Sequence, residues 1–490
     1  MFSLFLNNRF KAFFFLFISI ISFVNVFAGT KDTVEIIILH VNDVHGKIEA
    51  FDKFIPYVKK LKQQHSNVIV VSSGDLFSGN PVVDQYPEKG YPMIDLMNKA
   101  GFQLSTLGNH EFDYGLDVLE KRMEQANFSF LCINCIPPKN RLNKLFSHKE
   151  IRIQNGPTLM FYGAVQLNEN KTPDAHPEKL KGFLFTDPVS EIKKIIPKEK
   201  NNKILIALSH LGVDADSLLA IEIPNLDVVI GGHTHTLRSH LSDVSGKPCI
   251  VQAGSNFKYF GQLTIKYFDN KIVYRKDTLI DIHNLSETDS LIYFEIKKYN
   301  DNPSLNVKIG VAKTDFNNIH EIGNLMTDAI IDATGADIAF QNNGGIRIQK
   351  IEKGAILTKN IYQMDPFNNI IVLKNLSAEE IKNLLLFSFE KKDDLLQVSG
   401  LNYSIENSNN RITISLKTKD GKPLESNEKY KVAMNSYMAN MYKFQHDDKG
   451  KDLRITTAEA LIQYIKKKNE IIADTQKRGA LLITDIKQSK

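Results

Sequence analysis

The sequence predicts an α/β chain in two parts, the first built on buried strands alternating with helices and the second of mixed α+β texture. Three observations predict it. Short apolar runs recur through the first half with helical three- and four-residue apolar steps between them. Five of those runs end in Asp, Asn or His, beginning with Ile36 to Gly46, IIILHVNDVHG. Beyond residue 305 strands and helices continue, but no such series of polar endings does.

At 490 residues and 42% hydrophobic, the chain can bury more than one core. Its formal charge of +5 is small for the length, with Lys interspersed among Asp and Glu. There is no basic stripe to track a phosphate backbone, so a nucleic-acid polymer is not an expected partner. Three cysteines cannot make a disulfide framework. Cys132 and Cys135, in FLCINC, read as buried strand residues, with a disulfide between them as the alternative; Cys249 reads as a buried strand residue.

The elements follow in order. Arg9 and Lys11 precede the apolar run Ala12 to Val24, and Val26-Phe27-Ala28 offers a cleavage site, so residues 1–28 read as a secretory signal and export is expected. An uncleaved N-terminal anchor is the alternative. No later segment is apolar and long enough to span a membrane. Phe51, Phe54, Ile55, Val58 and Leu61 mark a helix over 51–66, and VIVVS at Val68 to Ser72 is the next strand, running into Gly74-Asp75. A helix over Tyr91 to Ala100, a strand over Phe102 to Thr106, GNHEFD from Gly108, and a helix over Leu116 to Ala126 come next. Ile151 to Ile153 and Leu159 to Val165 look like paired strands near an irregular insertion, Asn168 to Lys181. After a helix over Ser190 to Ile196, strands over Lys203 to Leu208 and Leu226 to Ile230 end in Ser209-His210 and in Gly231-Gly232-His233-Thr234-His235. Cys249 to Ala253, Gly261 to Phe268 and Lys271 to Tyr274 finish this part as short strands.

A first domain over 29–284 is joined by a linker helix within 285–305 to a second domain over 306–485. There, helices are expected over His320 to Thr334, Ala378 to Phe389 and Ala458 to Lys468. Strands are expected over Val307 to Val311, Asp337 to Phe340, Ile370 to Lys374, Leu396 to Tyr403, Arg411 to Leu416 and Tyr430 to Met434.

The candidate metal ligands are Asp43, His45, Asp75, Asn109, His210, His233 and His235, all at the carboxyl ends of strands, where open α/β sheets place ligands. Carboxylate, imidazole and amide oxygen together suit ions of the Zn, Mn, Co or Fe type. Two such ions are held best when one carboxylate bridges them, and Asp75 is the bridge if its strand lies between those of Asp43 and Asn109. His110 is the candidate acid for a leaving group, with Asp113 fixing its tautomer and raising its pKa. Any one of these residues could be structural; the ordered set DxH, GD, GNHE, SH and GHTH is hard to explain as packing. His40 sits on the first strand and reads as a core or supporting residue.

NDVHG, SSGDLFSG, GNHEFDYG, LSHLG and GGHTH resemble the calcineurin-like metallophosphoesterase family, and with NNGGIR in the second domain the chain resembles the 5'-nucleotidase / UDP-sugar hydrolase family. The resemblance implies a four-layer αββα metallophosphoesterase domain and a C-terminal substrate-binding domain that swings against it. It also implies two divalent ions, one on Asp43, His45, Asp75 and His235 and the other on Asp75, Asn109, His210 and His233. His110 with Asp113 would be the catalytic dyad. The substrate would be a small nucleotide, a nucleoside monophosphate losing its 5'-phosphate to a water between the ions. Arg347 would contact the anionic part, and Asn343 and Gly345 of the same turn would help hold the rest of the substrate. Tyr437 matches a base-stacking aromatic and Tyr403 is the candidate for a second; Tyr437 in a core and Arg347 in a structural ion pair are the competing readings. The family's Gly-Gly-Asp-Gly turn is missing after Tyr437, and Lys391 or Lys392 stands where another arginine is usual. Alternatives are a UDP-sugar or dinucleotide pyrophosphatase, a cyclic-nucleotide phosphodiesterase, a thiosulfohydrolase, and a non-catalytic surface binding protein on the same fold.

Overall fold

The computed structural model describes residues 33–240, 246–392, 394–408 and 411–483. The expected signal segment, 1–28, lies outside the described residues.

Two sheets stack face to face in the first domain. The seven-stranded sheet has the order Lys271–Asp281, Tyr259–Phe268, Val34–Val41, Val68–Ser72, Leu104–Thr106, Ser129–Leu131 and Leu145–Phe146. The six-stranded sheet runs Leu237–Arg238, Cys249–Ala253, Val228–Ile230, Lys203–His210, Thr158–Val165 and His148–Arg152. Period-two alternation decides which side chain goes where. On the first strand Ile36 and Ile38 point between the sheets, against Ile204, Ile206 and Leu208, while Ile37, Leu39 and Val41 face the outer helices. On Lys203–His210 the intervening Leu205 and Ala207 pack outward on Ile192 and Leu219, from the helices Pro188–Ile195 and Val213–Glu222. Strands buried on both faces read as unbroken apolar runs for this reason. The layers are therefore α, β, β, α, as expected.

The helix Phe51–Gln64 buries all five residues that marked it. It also contains Pro56, which has no N–H to give to Asp52 four residues back. That carbonyl instead accepts from Asp289 N at 2.8 Å, tying down the start of the linker helix Ser290–Asn300.

In the second domain a five-stranded sheet has the order Gln397–Ser399, Ile338–Gln341, Lys429–Asn435, Ile370–Ser377 and Lys451–Thr456, with two three-stranded sheets beside it. The helix Ile319–Thr334 buries Ile322, Leu325, Ala329 and Ile330 as its spacing predicts.

Several expectations need correction. Leu396 to Tyr403 is not one strand: Gly400 has φ +93°, a side chain there would come within 2.0 Å of the Asp337 carbonyl, and the chain turns into a second strand, Leu401–Ser408. Lys271 to Tyr274 continues to Asp281, because Arg275 and Asp277 are buried with partners rather than marking a strand end. Asp277 Oδ1 lies 3.0 Å from His40 Nε2, which accounts for a histidine inside the first strand. The helix Val213–Glu222 was not anticipated, since Leu218 and Ile221 are exposed while Leu219 is buried, so its apolar residues share no face. All three cysteines are buried, and Cys132 and Cys135 form no disulfide with each other. Cys132 and Cys135 flank Asn134, whose amide pairs with both polar groups of Val165 and so separates two short strands.

Candidate metal centre and active-site cleft

Sheet order places the Asp75 strand between those of Asp43 and Asn109. Backbone hydrogen bonds carry the pairing into the loops: Asp43 N to Gly74 O at 3.0 Å, His45 N to Asp75 O at 3.1 Å and Gly46 N to Leu76 O at 2.8 Å. Asp43, His45, Asp75, His233 and His235 all have φ between +47° and +76°. Each such residue costs on the order of 1–3 kcal/mol, and only an overdetermined surrounding keeps it there. The glycines supply room. A side chain on Gly108 would sit 2.2 Å from Asp75 Oδ1, and one on Gly232 would sit 2.8 Å from His210 Nδ1. Glu111, missed by the sequence reading, staples two loops: its buried carboxylate accepts from Asp75 N at 3.0 Å, Leu76 N at 2.7 Å and Gly108 N. Burial, then the Asp75 charge, push it up to about 7.

The seven predicted ligands converge. Asp43, His45 and His235 offer ligand atoms within 4.8 Å of one another, as do Asp43, Asp75 and His210. Asn109 Oδ1 lies 3.1 Å from His233 Nδ1, and His233 N donates to Asp43 Oδ2 at 3.0 Å. His45, Asp75 and His110 form a third such group.

Donor chemistry tests whether cations fit. His45 Nδ1 donates to the Ser78 carbonyl at 3.0 Å, so its Nε2 carries a lone pair, and that Nε2 faces His235 Nε2 at 3.2 Å. His210 Nδ1 donates to the Ser73 carbonyl at 2.6 Å, which leaves its buried Nε2 3.1 Å from Asp75 Oδ2 and 3.9 Å from Asp43 Oδ1. Two buried carboxylates among these ring nitrogens call for positive charge, which a proton on His210 or bound cations supply. Burial works against an imidazolium at His210, yet Asp75 and Asp43 outweigh it and hold the ring up at about 10. Burial, then the charge of His110, press His45 down to about 3. The residues fit two divalent ions, with Asp43 common to the first two groups and Asp75 joining His210 on one side to His45 on the other.

Beside them, His110 Nδ1 bonds Asp113 Oδ2 at 2.7 Å, and Ser78 Oγ donates to the same oxygen at 2.5 Å. His110 N donates to Asp75 Oδ1 at 2.9 Å, and its Nε2 lies 4.0 Å from Asp75 Oδ2. The dyad opens into a cleft of about 490 Å³ between the domains, with Arg347 and Tyr437 on the far wall. Arg347 reaches within 3.5 Å of His45 Nε2.

Three substrate-binding expectations need correction. Tyr403 is buried in the second domain's core, its hydroxyl bonded to the Leu396 carbonyl at 2.8 Å, because strand alternation turns it inward. Asn343 is turned from the cleft: its N–H donates to Asp394 and its Oδ1 accepts from Gln397 Nε2 at 2.7 Å, while its neighbours Asn342, Gly344 and Gly345 line the wall. Lys391 is exposed and does not line the cleft. The aromatic that does reach the chemistry is Phe367, stacked on His110 with centroids 5.7 Å apart at 19°, and 5.7 Å from the Arg347 guanidinium. A half-buried Phe in the polar turn Pro366-Phe367-Asn368-Asn369 was the signal available in sequence.

A calcineurin-like phosphoesterase profile matches residues 36–237, and a 5'-nucleotidase C-terminal domain profile matches residues 306–444. The chain is 25% identical over 520 residues to endonuclease YhcR of Bacillus subtilis, covering 93% of this chain but only 41% of that protein. To a 5'-nucleotidase of Vibrio vulnificus it is 25% identical over 480 residues, covering 83% and 85% of the two chains. A 5'-nucleotidase precursor structure from Thermus thermophilus superposes with TM-score 0.79 at 24% identity, covering 91% of this chain and 99% of that one.

Proposed function

The chain belongs to the 5'-nucleotidase / UDP-sugar hydrolase family, and on that premise we propose that it is a two-metal phosphomonoesterase removing the 5'-phosphate of nucleoside monophosphates. One observation carries the reading: two buried carboxylates, Asp43 and Asp75, meet around His210, Asp43 also grouping with His45 and His235, while Asp75 groups with His45 and His110 and accepts the His110 backbone N–H.

Asp43, His45, Asp75 and His235 would hold one ion, and Asp75, Asn109, His210 and His233 the other. Bound ions supply an acidified water and positive charge against the phosphoryl oxygens. The chain's own groups do the rest. His110, its Nδ1 fixed by Asp113, keeps Nε2 directed at the cleft, where it donates a proton to the leaving oxygen. Phe367 holds the plane of that imidazole from the other domain. Arg347 offers a planar fork to the anionic end of the substrate. Tyr437 is half buried on the wall opposite and supports recognition of the nucleoside. Closure of the domains over the ligand excludes water. Export from the cytoplasm belongs to the same proposal and rests on residues 1–28. Among the described residues no helix is long and apolar enough to cross a membrane.

The test is a substrate panel of AMP, UDP-glucose and bis(p-nitrophenyl) phosphate with Mn or Co, beside a chelated control. AMP should be turned over fastest, and only with metal. Preference for UDP-glucose or for the diester would replace the proposal with the pyrophosphatase or phosphodiesterase reading.

A further inference from the structure

The insertion Asn168 to Lys181 is anchored from within and from the metal centre. Asn168 Oδ1 accepts from Asn170 N at 2.8 Å, and its Nδ2 donates to Asp174 Oδ1 at 2.9 Å. The Asp174 carbonyl accepts from Asn109 Nδ2 at 3.1 Å, the same amide whose oxygen faces His233. Asp174 is thus one side chain away from the ion-binding groups. It also faces Tyr437: burial first, then the Asp174 carboxylate, push the tyrosine hydroxyl up. Both residues line the cleft. A carboxylate therefore stands along the path from the metal centre to Tyr437, with no ion-pair partner among the described residues.

The rest of that path is poor in positive charge. Arg347, Lys179 and the His110 imidazolium are the cations lining the cleft, against Asp113, Asp174 and Glu178, and His110 is already paired with Asp113. Past Arg347 the second domain presents uncharged groups such as Asn368, Asn369 and Ser436. A second phosphate would meet carboxylates there. A neutral group rich in hydroxyls would meet acceptors. An ionised carboxylate only accepts hydrogen bonds and can take two side by side, and an acidic residue on a ribose hydroxyl is how dinucleotide-binding folds hold that sugar.

We infer that Asp174 is a specificity-determining residue that accepts hydrogen bonds from the vicinal hydroxyls of a ribose leaving group. The inference rests on the nucleoside monophosphate reading above. A site built to bond a hydroxyl rejects the analogue lacking it strongly, because its polar group is left unpaired.

Two measurements test it, one needing no metal. Calorimetric titration of the chelated protein with adenosine and 2',3'-dideoxyadenosine should show adenosine binding at least about tenfold tighter. With Mn present, kcat/KM for AMP over 2',3'-dideoxy-AMP should show the same ratio. Asp174→Ala should bring both ratios to about one. Asp174→Asn, which keeps the shape and the contact to Asn168, should reduce them at least about threefold and decides the matter if the alanine variant folds poorly. Equal handling of the two ligands by the wild type, or discrimination surviving in both variants, overturns the inference. Failure to hydrolyse AMP while p-nitrophenyl phosphate is cleaved defeats the nucleotide reading, and the adenosine titration then judges Asp174 separately.

Discussion

His110 divides its ring nitrogens between two tasks, Nδ1 held by Asp113 and Nε2 left to the cleft. His110→Asn should therefore cut kcat by roughly 100-fold or more while metal content, measured by mass spectrometry of the digested protein, stays constant. The sign of the pH effect follows from the charges. Burial disfavours the imidazolium, but Asp113 and Asp75 outweigh it and hold the His110 pKa above its usual value. A proton donor so tuned stays charged past neutrality, and the rate declines on the alkaline side. Asp113→Asn removes the largest supporting charge, so that alkaline limb should move to lower pH in the kcat profile; a limb that stays put assigns it to another group. At this scale the sequence was readable wherever chemistry shows in residue type and order, as in DxH, GD, GNHE, SH and GHTH. It was unreadable where backbone conformation decides, as in the left-handed φ of Asp43 and Asp75, and where the partner is distant in sequence, as with Glu111 or Phe367.

Helices and strands were legible through their spacing, and the misreadings have local causes. Gly400 breaks a strand because its positive φ is combined with the Asp337 carbonyl close by. Gly400→Ala should cost about 2–4 kcal/mol in a denaturant titration, with the midpoint falling and the slope unchanged. The start of the helix Ala378–Lys392 is tied by Glu380, which accepts from Ser377 N at 2.7 Å and Asp447 N at 2.9 Å and pairs with Lys429 at 2.7 Å. Burial would raise this carboxyl, but Lys429 and those backbone donors overcome it and bring it down to about 2. A depressed folded-state pKa stabilises above the unfolded value of about 4.3, and that gain fades as pH falls toward 2. Glu380→Gln should lower the melting temperature by roughly 1–3 °C at pH 7 and by progressively less below pH 4. A penalty that does not change with pH would point to lost packing instead.

Across the molecule, one domain holds the ligands and the dyad, while the other brings Arg347, Phe367 and Tyr437 to the cleft. Chelation should lower the melting temperature of the first domain by several degrees, and Mn should restore it, because ions bind the folded loops and relieve the repulsion among them. Loading should weaken as pH falls, since the ion must displace the proton that Asp75 and Asp43 favour on His210. Sequence patterning revealed the two-part architecture and the buried strands of the first domain, while its four layers were implied by the family resemblance. It could not show how the halves face each other, because that depends on contacts such as His110 with Phe367 between residues far apart in the chain.

The strand bearing Asp43 has its antiparallel neighbour, Tyr259–Phe268, roughly two hundred residues further along, with Val34 opposite Tyr267. During synthesis the amino-terminal strand therefore leaves the ribosome long before its seam partner exists. Cation capture becomes a late event, after more than half the polypeptide has emerged, and a truncated product ending before that seam would carry all seven ligands yet lack the edge that closes their sheet.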